Sequence, residues 1–179
     1  PEGTRSSKGR AIQNVIQIEP GDKVRAYINV KNLNDKEFVE NNYLVMCTKR
    51  GIIKKTTLEA YSRPRTNGVN AIVIREGDQL LEVKLTSGQA EVMIAAREGK
   101  AIRFNEATVR PMGRVSSGGR AISSEDTDEV VRMITIEPGS EQDVLVLSEN
   151  GYGKRTDLEE YRITNRGGKG VKTINVTEK

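Results

Sequence analysis

Residues 143–174 read DVLVLSENGYGKRTDLEEYRITNRGGKGVKTI, and the order of their parts decides the fold. An apolar run leads to a charged turn at Gly151. A second short run carries Lys154 and Arg155. A polar, Arg-rich excursion then reaches Gly170, and an apolar pair leads onward. The same order stands in YLVMCTKRGIIKKTTLEAYSRPRTNGVNAI (residues 43–72) and in EVMIAAREGKAIRFNEATVRPMGRVSSGGRAI (residues 91–122). The turn glycines Gly51, Gly99 and Gly151 are 48 and 52 residues apart, and the returning glycines Gly68, Gly118 and Gly170 are 50 and 52 apart. Self-similarity at a fixed period near 50 marks a repeat architecture.

Each repeat reads as strands. YLVMCT, EVMIAA and DVLVLS are short apolar runs bounded by turn residues. KRG, REGK and ENG are hairpin turns in which glycine supplies positive φ. EGDQLLEVKL and EDTDEVVRMI read as a turn followed by another strand. TTLEAY and TDLEEY read as single helical turns, with Thr as cap and Glu nearby. Four strands per repeat of about 50 residues is the signature of propeller blades, and leucine-rich or β-helix repeats are shorter. The expected fold is therefore all-β, a β-propeller-like array of four-stranded blades. Upstream, GTRSSKGRAIQNVIQIEPGDKV matches the second half of a repeat, with Gly9 in the returning-glycine place. The interval from Gly9 to Gly68 is 59 residues, and KNLNDKEFVENN (31–42) absorbs the excess as a longer loop. The expected units are a half-repeat plus loop over 1–40, blades over 41–88 and 89–140, and a shortened blade over 141–179.

Composition agrees with many small cores rather than one thick one. Apolar residues are 35%, with two Phe, five Tyr and no Trp. No apolar run nears the ~20 residues of a spanning helix, and no signal-peptide pattern is present. The lone Cys47 excludes an internal disulfide framework and reads as a buried, inert thiol within YLVMC. With no His in the chain, a His–Cys zinc site, a His general base and a Ser-His-Asp triad are impossible. Asp126 with Asp128, and Glu159 with Glu160, read as solvated turn acids rather than a magnesium site, so the chain is expected not to be an enzyme. Neither catalytic nor metal-binding residues are expected.

The net charge of +4 is modest, but it is unevenly placed. Residues 1–10, 49–68, 97–120 and 151–172 hold 21 of the 29 basic residues and only 7 of the 25 acidic ones. Solubility explains any one such segment. Recurrence at one place in a repeat points instead to an anionic partner. One basic set lies around and beyond the hairpin turn: Lys49, Arg50, Lys54 and Lys55; Arg97, Lys100 and Arg103; Lys154 and Arg155. The other lies in the excursion: Arg63 and Arg65; Arg110, Arg114 and Arg120; Arg162, Arg166, Lys169 and Lys172. Arg5, Lys8 and Arg10 belong to the half-repeat. In a circular array equivalent positions fall on equivalent surfaces, so these residues would form a basic band. Such a band gains affinity for double-stranded DNA by counterion release, and a curved one favours bent duplex over particular bases. Glycines in NRGGKG and RVSSGG would let backbone N–H groups approach phosphate, although the spacing is not that of a P-loop. Tyr61 and Tyr161 read as core residues rather than base-stacking platforms.

TKRGIIKKTTLEAYSRPRTNGVNAI and ENGYGKRTDLEEYRITNRGGKGVKTI resemble repeats of the C-terminal domain of the DNA gyrase A subunit, and the resemblance spans essentially the whole chain. It implies part of a β-pinwheel, a propeller-like array whose basic rim wraps duplex DNA for negative supercoiling. It also implies a bacterial cytoplasmic setting and, as partners, the gyrase B subunit together with the remainder of the gyrase A subunit. Strand cleavage, and the ATP and Mg²⁺ of the intact topoisomerase, belong elsewhere in that enzyme, so no cofactor is expected here. The family's box, of the form Q-[RK]-R-G-G-[RK]-G, has its nearest match at Thr164–Gly170. That match keeps Arg166-Gly167-Gly168-Lys169-Gly170 without the leading Gln-Arg/Lys, and it sits in a late repeat rather than the first. About three and a half repeats are present, so the ring is expected to be incomplete. Two other readings stay open: the matching domain of the topoisomerase IV C subunit, and a propeller whose rim binds acidic proteins.

Overall fold

The computed structural model describes residues 3–175. Its strands are β1 (Tyr43–Thr48), β2 (Ile52–Thr57), β3 (Leu80–Thr86), β4 (Glu91–Ala96), β5 (Lys100–Asn105), β6 (Gly119–Arg120), β7 (Val130–Ile136), β8 (Asp143–Leu147), β9 (Gly153–Asp157) and β10 (Val171–Lys172). They form two four-stranded sheets, ordered β3-β1-β2-β6 and β10-β5-β4-β7, and a two-stranded hairpin, β8-β9. All the strand pairs are antiparallel. This is the expected all-β, propeller-like array, and its sheets do not close into a ring.

The three hairpins turn at the predicted glycines. Gly51, Gly99 and Gly151 have φ of 77°, 86° and 85°, a region that costs a side-chain-bearing residue energy. Each closes a tight turn by donating its N–H to the carbonyl of Thr48, Ala96 or Ser148. The partners from EGDQLLEVKL and EDTDEVVRMI form as β3 and β7, each with a register shift opposite the end of its neighbour.

The main core lies between the two four-stranded sheets. Val45 and Cys47 of β1 and Ile53 of β2 meet Val92 and Ile94 of β4, Ile102 and Phe104 of β5, and Val130 and Met133 of β7. A second cluster uses the other face of β4: Met93 packs with Ala101, Ile136, Leu158 and Tyr161, joining the second sheet to the last repeat. Being buried on both faces is why β4 reads as a continuous apolar run. The DVLVL of β8 is just as apolar, yet Leu145 and Leu147 are 63% and 68% exposed. Burial pushes the Cys47 thiol up to about 12, with Glu82 and Asp78 adding to the effect. The thiolate is the reactive form, so a disulfide-exchange reagent at pH 8 should leave the native protein unlabelled and modify it only after unfolding. Labelling of the folded chain at the unfolded rate would contradict this burial.

Two local expectations change. The predicted loop over 31–42 contains a helix, α1 (Lys36–Asn41), because the Asp35 side chain caps it by accepting from Phe38 N at 3.2 Å and Val39 packs into the protein. The turns in TTLEAY and TDLEEY are 3-10 turns, Leu58–Tyr61 and Leu158–Glu160; Thr57 holds the N-cap position of the first, and Asp157 rather than Thr156 holds that of the second. Thr57 makes no side-chain cap bond, whereas Asp157 accepts from Glu159 N at 2.9 Å. Of the half-repeat, residues 3–35 carry one 3-10 turn, Ile12–Asn14, and no strand. Its apolar Val15 and Ile16 are exposed. No helix of the described residues is long and apolar enough to cross a membrane.

Candidate nucleic-acid interface

Each sheet's fourth strand comes from the following repeat, and this places the excursions. After β5 and its 3-10 turn, the chain crosses to the outer edge of β2. It bridges Lys55 at Pro111 in parallel and returns antiparallel as β6 beside Ile52 and Ile53. The next excursion does the same on β5, with Ile163 beside Arg103 and β10 beside Lys100 and Ala101. The anchoring hydrogen bonds repeat. Met112 N donates to Lys55 O and Ala121 N to Gly51 O. Thr164 N donates to Arg103 O and Thr173 N to Gly99 O. Residues 112–118 and 164–170 connect the anchors, with Arg114 O accepting from Lys54 of β2 and with Gly118 and Gly170 close against the strand edge. Within these segments Arg166 and Lys169 are exposed and Arg114 is half-buried; Arg110, Arg120, Arg162 and Lys172 are exposed beside the anchors.

The cations beyond the hairpin turns behave differently, and three of them cannot meet a partner. Lys54 is fully buried, with Nζ donating to Ala71 O and Arg114 O at 2.6 Å each. Burial, and then the Arg114 charge, lower its affinity for a proton. Lys55 is buried; its Nζ donates to Glu106 O at 2.9 Å and stands 4.9 Å from the centroid of the Tyr43 ring. Burial pulls its pKa down while Glu106 pulls it back up. Arg103 is 6% exposed. Its Nε donates to Glu91 at 2.5 Å, its Nη1 to Leu158 O and Tyr161 O at 2.8 and 3.0 Å, and its Nη2 to Glu159 at 3.5 Å.

Lys55 and Arg103 hold the same register position, opposite Val45 and Met93, and each reaches the 3-10 turn of the next repeat. They join neighbouring repeats and are not a surface for a ligand. Arg155 is the third member, opposite Leu145, and it is exposed and paired with Asp143. The signal was present in the sequence: an acid stands twelve residues before both Arg103 and Arg155, at the start of the adjoining strand.

The remaining candidates divide by what they already hold. Arg97 pairs with Glu129 at 2.7 Å. Lys49 and Lys100 are half-buried. Arg5, Lys8, Arg10, Arg50, Arg63, Arg65, Arg110, Arg120, Lys154, Arg162, Lys169 and Lys172 are exposed and make no side-chain ion pair among the described residues. Tyr161 is buried in the second core cluster, and Tyr61 is half-buried with its hydroxyl donating to Ala71 O at 3.2 Å. Both are packing residues.

Comparison with known proteins accords with this architecture. The family described as DNA gyrase C-terminal domain, beta-propeller, matches residues 42–87, 90–137 and 142–179. The DNA gyrase A subunit of Staphylococcus aureus strains NCTC 8325 and COL is 44% identical over 179 residues, which is 100% of this chain and 20% of theirs. The chain thus spans a fifth of the length of these relatives. Among solved structures, the C-terminal domain of DNA topoisomerase IV superposes with a TM-score of 0.80 at 26% identity, covering 92% of this chain and 49% of that one. A DNA gyrase A C-terminal domain superposes with a TM-score of 0.78 at 23% identity, covering 92% and 53%. With a family model matched in three consecutive segments and 44% identity along its whole length, the chain belongs to the DNA gyrase A C-terminal domain family.

Proposed function

We propose that the chain binds double-stranded DNA through the exposed cations of its excursions, without regard to sequence, and that its curved array bends the duplex along a basic rim. The observation that supports this most directly is placement. Arg110 and Arg162, and Arg120 and Lys172, are exposed at matching positions on the outer edges of successive sheets. Regularly spaced guanidinium and ammonium groups suit a phosphate backbone. The gyrase relatives carry the reading further: the array would wrap a segment of DNA for ATP-dependent negative supercoiling by an intact type II topoisomerase. In that enzyme the gyrase B subunit, with the rest of the gyrase A subunit, would be its partner in the bacterial cytoplasm. ATP and Mg²⁺ would act outside this chain. The 44% identity to the gyrase A subunit favours gyrase over topoisomerase IV as the parent.

Salt dependence tests the binding. Six phosphate contacts would lower affinity for linear duplex about a thousandfold between roughly 50 and 200 mM salt. The double variant Lys169→Gln/Lys172→Gln should weaken binding to unrelated sequences alike and reduce the slope of log K against log salt by about 2. No binding to duplex at low salt would overturn the proposal, and tighter binding to an acidic protein would favour a protein-interaction surface. Wrapping has its own assay, in which a relaxed plasmid closed in the presence of the chain should acquire a change in linking number.

A further inference from the structure

Arg114 and Arg166 each stand four residues before a returning glycine, at the same place in successive excursions. Both turn a guanidinium onto the backbone of the excursion before their own. Arg114 Nη1 donates to Asn70 O at 3.4 Å, and Arg166 Nη1 donates to Arg120 O at 2.9 Å. Asn70 and Arg120 are themselves equivalent, two residues after Gly68 and Gly118. Arg166 Nε adds a bond to Thr108 O at 3.1 Å. The backbone repeats the connection, with Val73 N donating to Ser116 O at 2.9 Å and Ser123 N to Gly168 O at 2.8 Å. Gly167 N donates to Ala121 O at 2.6 Å. A Cβ on Gly119 would stand 3.0 Å from Arg166 Nη1, so the glycine leaves room for the guanidinium.

We propose that Arg114 and Arg166 are clips between neighbouring excursions rather than phosphate ligands, and that they set the spacing between one exposed cation set and the next. The clip itself is independent of any ligand. Its effect on the path of DNA rests on the DNA-binding reading above. A phosphate ligand needs positive charge, which Lys also supplies. Arg166 meets its two carbonyls with two nitrogens of one rigid fork, Nε and Nη1, a fixed spacing that the single Nζ of a Lys at that position does not reproduce.

The test compares Arg166→Lys and Gly119→Ala with wild type and with Arg162→Lys as the exposed control. Native-state hydrogen exchange at the Ser123 and Gly167 amides should quicken about tenfold in Arg166→Lys and in Gly119→Ala, the scale of losing one or two ordinary hydrogen bonds. Arg162→Lys should leave exchange unchanged. The salt slope on short linear duplex should stay at the wild-type value in Arg166→Lys and Arg166→Met alike, while the linking-number change on closed plasmid should fall in both. Wild-type exchange in Arg166→Lys would overturn the clip. So would a salt slope reduced by about one in Arg166→Met and restored in Arg166→Lys, which identifies a phosphate ligand. Should the wild-type chain fail to bind duplex, the DNA reading falls and the exchange result alone decides the clip.

Discussion

Gly118→Ala is expected to destabilise the chain by roughly 2–4 kcal/mol, with Gly170→Ala following the same course. Gly118 and Gly170 are where the excursions turn back onto the preceding sheet, at φ of 89° and 73°. A Cβ at Gly118 would fall 2.3 Å from Ile53 O, and one at Gly170 would fall 2.5 Å from Ala101 O. Both obstacles are backbone in the strand that the returning segment pairs with, so no side-chain rotation relieves the clash. Either the edge strand lifts off or the sheet deforms. Urea denaturation should show the lowered midpoint, and hydrogen exchange should place the loss at Ala121 in one variant and at Thr173 in the other. Gly68→Ala is the control: its φ is also positive, but nothing lies within 4 Å of the added Cβ. It should cost only the conformational part, about 1 kcal/mol. Equal losses at all three glycines would mean that the close approach to the neighbouring strand contributes nothing.

Arg103→Met is expected to cost about 3–5 kcal/mol, the usual scale for removing one partner of a buried ion pair. The loss would strand the Glu91 carboxylate and leave the carbonyls of Leu158 and Tyr161 without their donor. Because those carbonyls belong to the next repeat, the damage should appear first as loosening of the last hairpin, read by exchange along β8 and β9. Arg103→Lys should recover part of the loss, since Lys55 makes a similar connection with a single nitrogen in the first sheet. The salt slope for DNA should not change in Arg103→Met at temperatures where that variant stays folded, because the side chain is enclosed. A reduced slope with undiminished stability would return Arg103 to the binding surface.

The repeat itself was legible because its punctuation is chemical. Gly51, Gly99 and Gly151 each end a hairpin arm at a φ that few other residues adopt. Gly118 and Gly170 each lie where a side chain would strike a neighbouring strand. Burial was less legible, since it depends on what the next repeat brings to each position. Lys54, Ile102 and Lys154 hold one register position, yet Lys54 is buried beneath two excursions and Lys154 is exposed. Lys55, Arg103 and Arg155 likewise divide into two enclosed joints and one exposed pair. A basic residue beyond a hairpin turn therefore reads the same whether it faces a ligand or the next repeat. Most of the excursion cations are exposed, whereas those around and beyond the hairpin turns divide between enclosed and exposed positions. α1 escaped notice for a local reason: six residues are too few for an apolar period, and only the Asp35 cap announced it.

The donated fourth strand has a consequence for synthesis on the ribosome. β3 ends at Thr86, but the first sheet receives its edge only when Gly119 and Arg120 arrive. At about 5–20 residues per second, the 34 residues from Thr86 to Arg120 take roughly 2–7 s to be added. Throughout that interval β2 presents an open edge to other nascent chains. Each later repeat closes its predecessor and exposes its own edge in turn, so the vulnerable site travels along the growing polypeptide.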